Sequence, residues 1–329
     1  MNNMTTTVSP IILAAADVAH LSGRIDAIEI MREAFRSLAG GTAVQPPQTL
    51  TLFPQDAGDF ITYLGVLAEA KVFGAKLSPY LSRPDGGFVT AWTVLMSMQT
   101  GQPILLCDSK QLTVERTAAT TALAVDLLAP QSAARLSVVG AGPVAQAHVR
   151  HIRHLRPWRD IRIHSRTNAR SPQSGALMAS IDERIQIETN LDRAIDDADV
   201  ILLCTSSGAA VIDPASLRKP ALITSISTNV PKAHEVPPGA LGNMDVYCDY
   251  RATTPSSAGE MQLAAAEHGW SVGSVVGDLP ELTIGSAALP SYARHAFFRS
   301  IGLGLEDVAM AHALLRLVQN DNGSRENSP

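Results

Sequence analysis

The chain has 329 residues, 46% of them hydrophobic and 17% charged, with a formal net charge of −5. That length suits two domains better than one and supplies a sizeable core. The mild acidity, without a long basic run, argues against nucleic acid or an anionic membrane as the main partner. No apolar run reaches the ~18 residues needed to span a bilayer.

The opening residues, MNNMTTTVSP, have no basic segment followed by an apolar core, so no signal peptide is expected. The cysteines, Cys107, Cys204 and Cys248, are odd in number and lack metal or redox spacing. Reduced thiols in the cytoplasm are the expectation. His151 and His154 lie three apart on an expected helix, but no further ligand stands at metal spacing, so no metal is expected.

Residues 17–40 carry helical apolar spacing and stop at Gly40-Gly41. Strands are predicted at 49–53, 60–64 and 72–77, then at 89–98 and 103–107 around the turn at 99–102, so this half reads as antiparallel β with helices. Within it, Lys76 interrupts an apolar strand (Gly74-Ala75-Lys76-Leu77-Ser78). A buried ammonium needs a partner or a task. Lys76 is a candidate to bind a substrate carboxylate or to move a proton, the alternative being a lysine that snorkels from a strand end. Residues 111–128 read as one alanine- and threonine-rich helix, with Arg116 near its start. Arginine suits bidentate carboxylate recognition, the alternative being a surface salt bridge.

From Leu136 the pattern changes to LSVVGAGPVAQAHVRHIRHLRPWRDIRIHSRT: strand, glycine turn, helix, strand. This is the pattern of a dinucleotide-binding unit, in roughly thirty residues, the alternative being a close-packing glycine turn. Gly140 permits the tight exit from the strand, Gly142 lets backbone approach a pyrophosphate, and Ala145 allows close packing of helix on sheet. The expected cofactor-binding set is therefore Gly140, Ala141, Gly142, Pro143, Val144 and Ala145. A ribose-binding carboxylate is expected about 20 positions further on in NAD-preferring units. Here the second strand ends in His164, Ser165, Arg166 and Thr167. A 2′-phosphate is better served by Ser165, Arg166 and Thr167, with Arg170 as a second partner, so NADP(H) is favoured and NAD(H) kept as the alternative. Buried strands at 199–204 and 220–227 put Thr205, Ser206, Ser207, Thr228 and Asn229 beside the cofactor, since ligands lie beyond the carboxyl ends of parallel strands. Short strands at 246–249 and 275–276 and a helix at 304–318 complete the chain.

Several runs together carry a resemblance: TGQPILLCD at 100–108, LTVERTAA at 112–119, VVGAGPVAQAH at 138–148, CTSS at 204–207, Asn229-Val-Pro with His234-Glu235-Val236, and FFRSIGLGLED at 297–307. With these the chain resembles the ornithine cyclodeaminase/μ-crystallin family. The resemblance implies an α/β protein with a Rossmann dinucleotide-binding domain (117–304) inserted into an α+β substrate-binding and dimerisation domain (1–116 plus 305–329). It also implies a homodimer with substrate in a cleft. Lys76 and Arg116 match the family's substrate-carboxylate and catalytic positions. Two residues depart from the pattern. Gln48 stands in Pro46-Pro47-Gln48-Thr49 where the family often has arginine, so Gln48 is a substrate-binding candidate with one carboxylate contact altered. Asn229 stands where cyclodeaminases carry an acidic residue. Asn229 can orient a nicotinamide or amine but cannot act as a general base.

The expected activity is hydride transfer at the α-carbon of an amino or imino acid, with NAD(P). An L-amino acid dehydrogenase such as an arginine dehydrogenase fits, as does a Δ1-pyrroline-2-carboxylate or ketimine reductase. The alternatives are an ornithine or lysine cyclodeaminase and an NADPH-dependent ligand-binding protein like μ-crystallin.

Overall fold

A computed structural model describes residues 9–84, 86–166, 172–227 and 232–326. It divides into two compact units, Met1–Arg116 with Leu303–Pro329, and Thr117–Gly302. The return to the first unit falls at Leu303 rather than at Leu305.

The first unit is built on one mixed sheet. Its strands are β1 (Ile11–Leu13), β2 (Ala43–Val44), β3 (Thr49–Leu52), β4 (Gly58–Leu67), β5 (Val72–Leu81), β6 (Phe88–Val89), β7 (Trp92–Ser97) and β8 (Pro103–Asp108). The main path runs β1-β8-β7-β5-β4-β2, with β3 on β4 and β6 on β5. Only β1 pairs in parallel, with β8. The strand expected at 89–98 is two strands, because Thr90 leaves β6 and donates its N–H back to Pro79 O at 3.3 Å. The single helix expected over 17–40 is also two, α1 (Ala15–Ser22) and α2 (Ala27–Ala39). Helix α1 stops at Gly23. Helix α2 starts afresh because the Asp26 carboxylate accepts the Glu29 N–H at 3.1 Å.

Helix α3 (Lys110–Leu128) follows β8, and the division between the units falls within it, after Arg116. The C-terminal helix (Gly304–Glu326) packs on β4 and β5. Its approach depends on two glycines. A Cβ at Gly65 would lie 2.8 Å from Leu305 Cα, and one at Gly304 would lie 2.3 Å from Leu64 O. With no side chain at either position the first turn of the helix rests directly on the sheet. Gln45 pins that turn, its Oε1 accepting the Leu305 N–H at 2.8 Å.

The second unit is a fully parallel sheet, with strands β9 (Arg135–Val139), β10 (Asp160–His164), β11 (Ile185–Glu188), β12 (Val200–Leu203), β13 (Leu222–Ser225), β14 (Asp245–Cys248), β15 (Val275–Asp278) and β16 (Ala296–Arg299). Their order is β11-β10-β9-β12-β13-β16-β14-β15. The strand order reverses between β9 and β12, where a Rossmann sheet binds its ligand. Helix α4 (Pro143–Ile152) leaves the turn after β9. Val139, Ile201, Leu203, Ile223, Val246 and Phe297 lie in one buried core. Two of these strands, β11 and β16, were not expected. The FFR run forms the buried strand β16 between β13 and β14, and four residues are too few to show a period. Among the described residues no helix is long and apolar enough to cross a membrane.

Candidate active site

In the first unit, alternation along β5 turns Lys76 to the same face as Val72 and Gly74, and that face is covered by the C-terminal helix. Lys76 is 1% exposed, so it does not snorkel from a strand end. Its ammonium lies 2.8 Å from Asp307 Oδ2 and sits over the ring of Tyr63, the residue opposite it on β4, at 4.1 Å. It also donates to Thr113 Oγ1 at 3.4 Å.

Arg116, 4% exposed, reaches the same helix turn from α3. Its Nε donates to Asp307 Oδ1 at 3.2 Å and its NH1 to Glu306 Oε2 at 3.0 Å. The ion pair is therefore a buried one, not the surface bridge weighed as the alternative. Two cations and two carboxylates form one buried group, with Asp307 bridging both cations. Both acids lie in the first turn of their helix, where its dipole favours negative charge.

These surroundings separate the two cations chemically. Burial pushes the Lys76 ammonium down to about 8; Asp307 opposes that fall and Arg116 adds to it. Burial also opposes the Arg116 charge, but Asp307 and then Glu306 hold the guanidinium above its ordinary value. Arg116 is thus a permanent cation beside a lysine able to change protonation near neutral pH.

In the second unit those of the residues expected to hold a dinucleotide that are described come together at the carboxyl edge of the sheet. Gly140 adopts φ +132°, and a Cβ there would lie 2.4 Å from Cys204 O. The glycine turn therefore abuts the segment running into Thr205. At Gly142 a Cβ would meet nothing within 4 Å, so the space above the N-terminus of α4 is open. Pro143 occupies the first helical position, where a missing N–H costs nothing, and Ala145 is 1% exposed against the sheet. Buried Ala141 and half-buried Val144 complete the turn. Free helix N–H groups and an open, side-chain-free approach are what a pyrophosphate requires, so these residues fit a dinucleotide.

Ser165 and exposed Arg166 follow β10. Thr167 and Arg170 lie outside the described residues, as do Thr228 and Asn229. Thr205, Ser206 and Ser207 follow β12. Ser207 donates its backbone N–H to Thr205 Oγ1 at 3.1 Å, which turns the loop. Gln48 is half-buried in the extended stretch before β3, and its Oε1 has no hydrogen-bond partner among the described residues. It pairs with neither Lys76 nor Arg116 there.

Sequence reasoning missed the acidic side of the cluster. Glu306 and Asp307 were visible only as the end of the FFRSIGLGLED run, 190 or more residues from Arg116. It also assigned no role to Glu235, although this carboxylate is fully buried.

The chain is similar over its full fold to known proteins. It is 57% identical over 312 residues to an NAD(P)H-dependent anabolic L-arginine dehydrogenase of Pseudomonas aeruginosa, covering 94% of this chain and 98% of the relative. A Δ1-pyrroline-2-carboxylate reductase of Thermococcus litoralis, solved with NADH and L-proline, superposes with a TM-score of 0.86 at 19% identity, over 95% of this chain and 98% of the other. An archaeal alanine dehydrogenase dimer with bound NAD gives 0.84 at 23% identity, over 95% and 97% of the two chains. The model for the ornithine cyclodeaminase/mu-crystallin family matches residues 8–321, and the chain belongs to that family.

Proposed function

We propose that this protein is an NAD(P)-dependent oxidoreductase acting at the α-carbon of an amino or imino acid, with L-arginine as its substrate in the oxidative direction. The observation that carries the chemistry is the buried group in which Asp307 joins Lys76 at 2.8 Å and Arg116 at 3.2 Å. The 57% identity to an L-arginine dehydrogenase supports the choice of amino acid.

Arg116 remains charged and holds the α-carboxylate by paired N–H donors. Lys76, lowered to about 8, takes a proton from the α-ammonium during oxidation and returns one to the imine nitrogen during reduction. The glycine turn and α4 hold the cofactor's phosphates, and Arg166 with Ser165 receives a 2′-phosphate, favouring NADP(H) over NAD(H). When bound, the nicotinamide supplies or accepts the hydride. In the oxidative direction water then adds to the imine carbon, giving ammonia and a 2-oxo acid.

The outer face of the first sheet fits a homodimer. The row Leu64, Ala75, Val94, Leu106 and Ile12 crosses five strands in register. Leu64 is 41% and Ile12 65% exposed. A second copy of the same face would cover this apolar row. The three cysteines are free, a state that a reducing compartment would preserve.

The test follows cofactor absorbance with purified protein. NADP+ and NAD+ are paired with L-amino acids, and NADPH and NADH with cyclic imino acids or 2-oxo acids plus ammonia. Reduction of NADP+ by L-arginine, with equimolar 2-oxo acid, is the expected result. Proline formed from ornithine without net absorbance change would replace this reading with a cyclodeaminase. NADPH binding without turnover would replace it with a ligand-binding role.

A further inference from the structure

We propose that Glu235 is a positioning residue for the cofactor, clamping Thr205 after β12 and Ser227 after β13 in one arrangement; this rests on the reading that those residues border the dinucleotide. Glu235 is fully buried, and both of its oxygens are fully used. Oε1 accepts the Thr205 backbone N–H at 2.8 Å and the Thr205 hydroxyl at 2.7 Å. Oε2 accepts the Ser225 hydroxyl at 2.7 Å and the Ser227 backbone N–H at 3.0 Å. The Glu235 carbonyl also accepts the Val211 N–H at 2.8 Å, closing the far end of the first loop.

The topology gives this clamp its importance. Strands β12 and β13 are parallel neighbours, with Leu203 opposite Ser225, so the chain leaves the sheet toward Thr205 and toward Ser227 side by side. Leu203 also lies opposite Val139, the last residue before the glycine turn. One carboxylate thus sets the spacing between the segment beside that turn and the next segment along the sheet. Ser227 shows that the hold has a cost. It has φ +42°, a left-handed conformation that a serine adopts at a cost of roughly 1 kcal/mol. Its hydroxyl is buried with no partner among the described residues. The N–H bond to Glu235 holds Ser227 in that conformation and leaves its hydroxyl for a ligand.

Only a carboxylate satisfies all four donors. Hydroxyls can rotate to accept from an amide NH2, but a backbone N–H cannot, so glutamine leaves either Thr205 or Ser227 facing a second donor. Aspartate, one methylene shorter, reaches one loop and releases the other.

The experiment is fluorescence titration of NADPH into the full chain, with circular dichroism and thermal unfolding as controls. Glu235→Gln is expected to fold and to bind NADPH at least ~tenfold more weakly, the scale of one lost charge-assisted hydrogen bond. Cofactor KM should rise in parallel, with amino acid KM within about twofold, a split that global destabilisation would not produce. Thr205→Val should weaken NADPH binding by a smaller factor and Thr205→Ser should restore it. A folded Glu235→Gln protein with unchanged NADPH affinity would overturn the proposal. If that variant does not fold, unchanged affinity in both Thr205→Val and Ser225→Ala would overturn it instead. Wild-type protein that binds no NAD(P)H would overturn the cofactor reading itself, which the first titration distinguishes.

Discussion

The bridging role of Asp307 makes Asp307→Asn the most informative perturbation. Lys76 and Arg116 are balanced by Glu306 and Asp307, all at most 4% exposed. Asparagine keeps the shape and leaves one positive charge in excess inside the unit. Breaking a buried ion pair from one side costs about 3–5 kcal/mol. Here Lys76 offers an escape, because it can lose its proton. Its folded-state value is about 8 against an ordinary 10.5, so the unfolded chain binds more protons across that window and stability rises with pH through it. Asp307 is the leading influence holding the ammonium up, so its removal opens the window at lower pH. The variant should therefore be least stable relative to wild type at about pH 6, where wild-type Lys76 is charged, by ~3 kcal/mol. By about pH 9 Lys76 is neutral in both proteins, and the gap should narrow to the ~1–2 kcal/mol of the altered Arg116 hydrogen bond. Urea unfolding at both pH values, followed by circular dichroism, measures the difference. A gap independent of pH, or none, would refute the account of Asp307 as the counter-charge of Lys76.

The same titration should appear in turnover. In amino acid oxidation kcat/KM should rise with pH to a plateau above about 8, while reductive activity should fall over the same range. Lys76→Met should remove both limbs and nearly all activity in initial-rate assays. Gly140→Ala should lose NADPH binding by fluorescence titration and destabilise the second unit by ~1–3 kcal/mol, since a Cβ would meet Cys204 O at 2.4 Å with φ at +132°. Arg166→Gln should weaken NADPH more than NADH, shifting the ratio of their kcat/KM values by ~tenfold or more; an unchanged ratio would remove Arg166 from the 2′-phosphate site. Leu64→Glu, on the outer sheet face, should give a monomer by light scattering.

Local patterns in the sequence were enough to identify the second unit as a Rossmann sheet. A glycine turn, its flanking strands and α4 are contiguous in the chain, so spacing alone expressed their geometry, and Gly140, Gly142 and Ala145 sit where that pattern put them. Lys76 and Arg116 stood out because a cation in an apolar strand or an alanine-rich helix is costly without a partner. The partners themselves were beyond the reach of local pattern. Asp307 meets Arg116 across 191 positions only because Gly65 and Gly304 let a helix touch the sheet, and Glu235 meets Thr205 across 30 only because β12 and β13 are neighbours. The burial of β16 was decided the same way, by a place between two other strands, whereas the break at Gly23 is local, set by the Asp26 carboxylate capping Glu29 three residues on. Periodicity reports which face a residue shares with its near neighbours in the chain. Which charges then meet depends on packing between elements distant in sequence, and here that packing set the protonation of Lys76 and the clamp on the two loops.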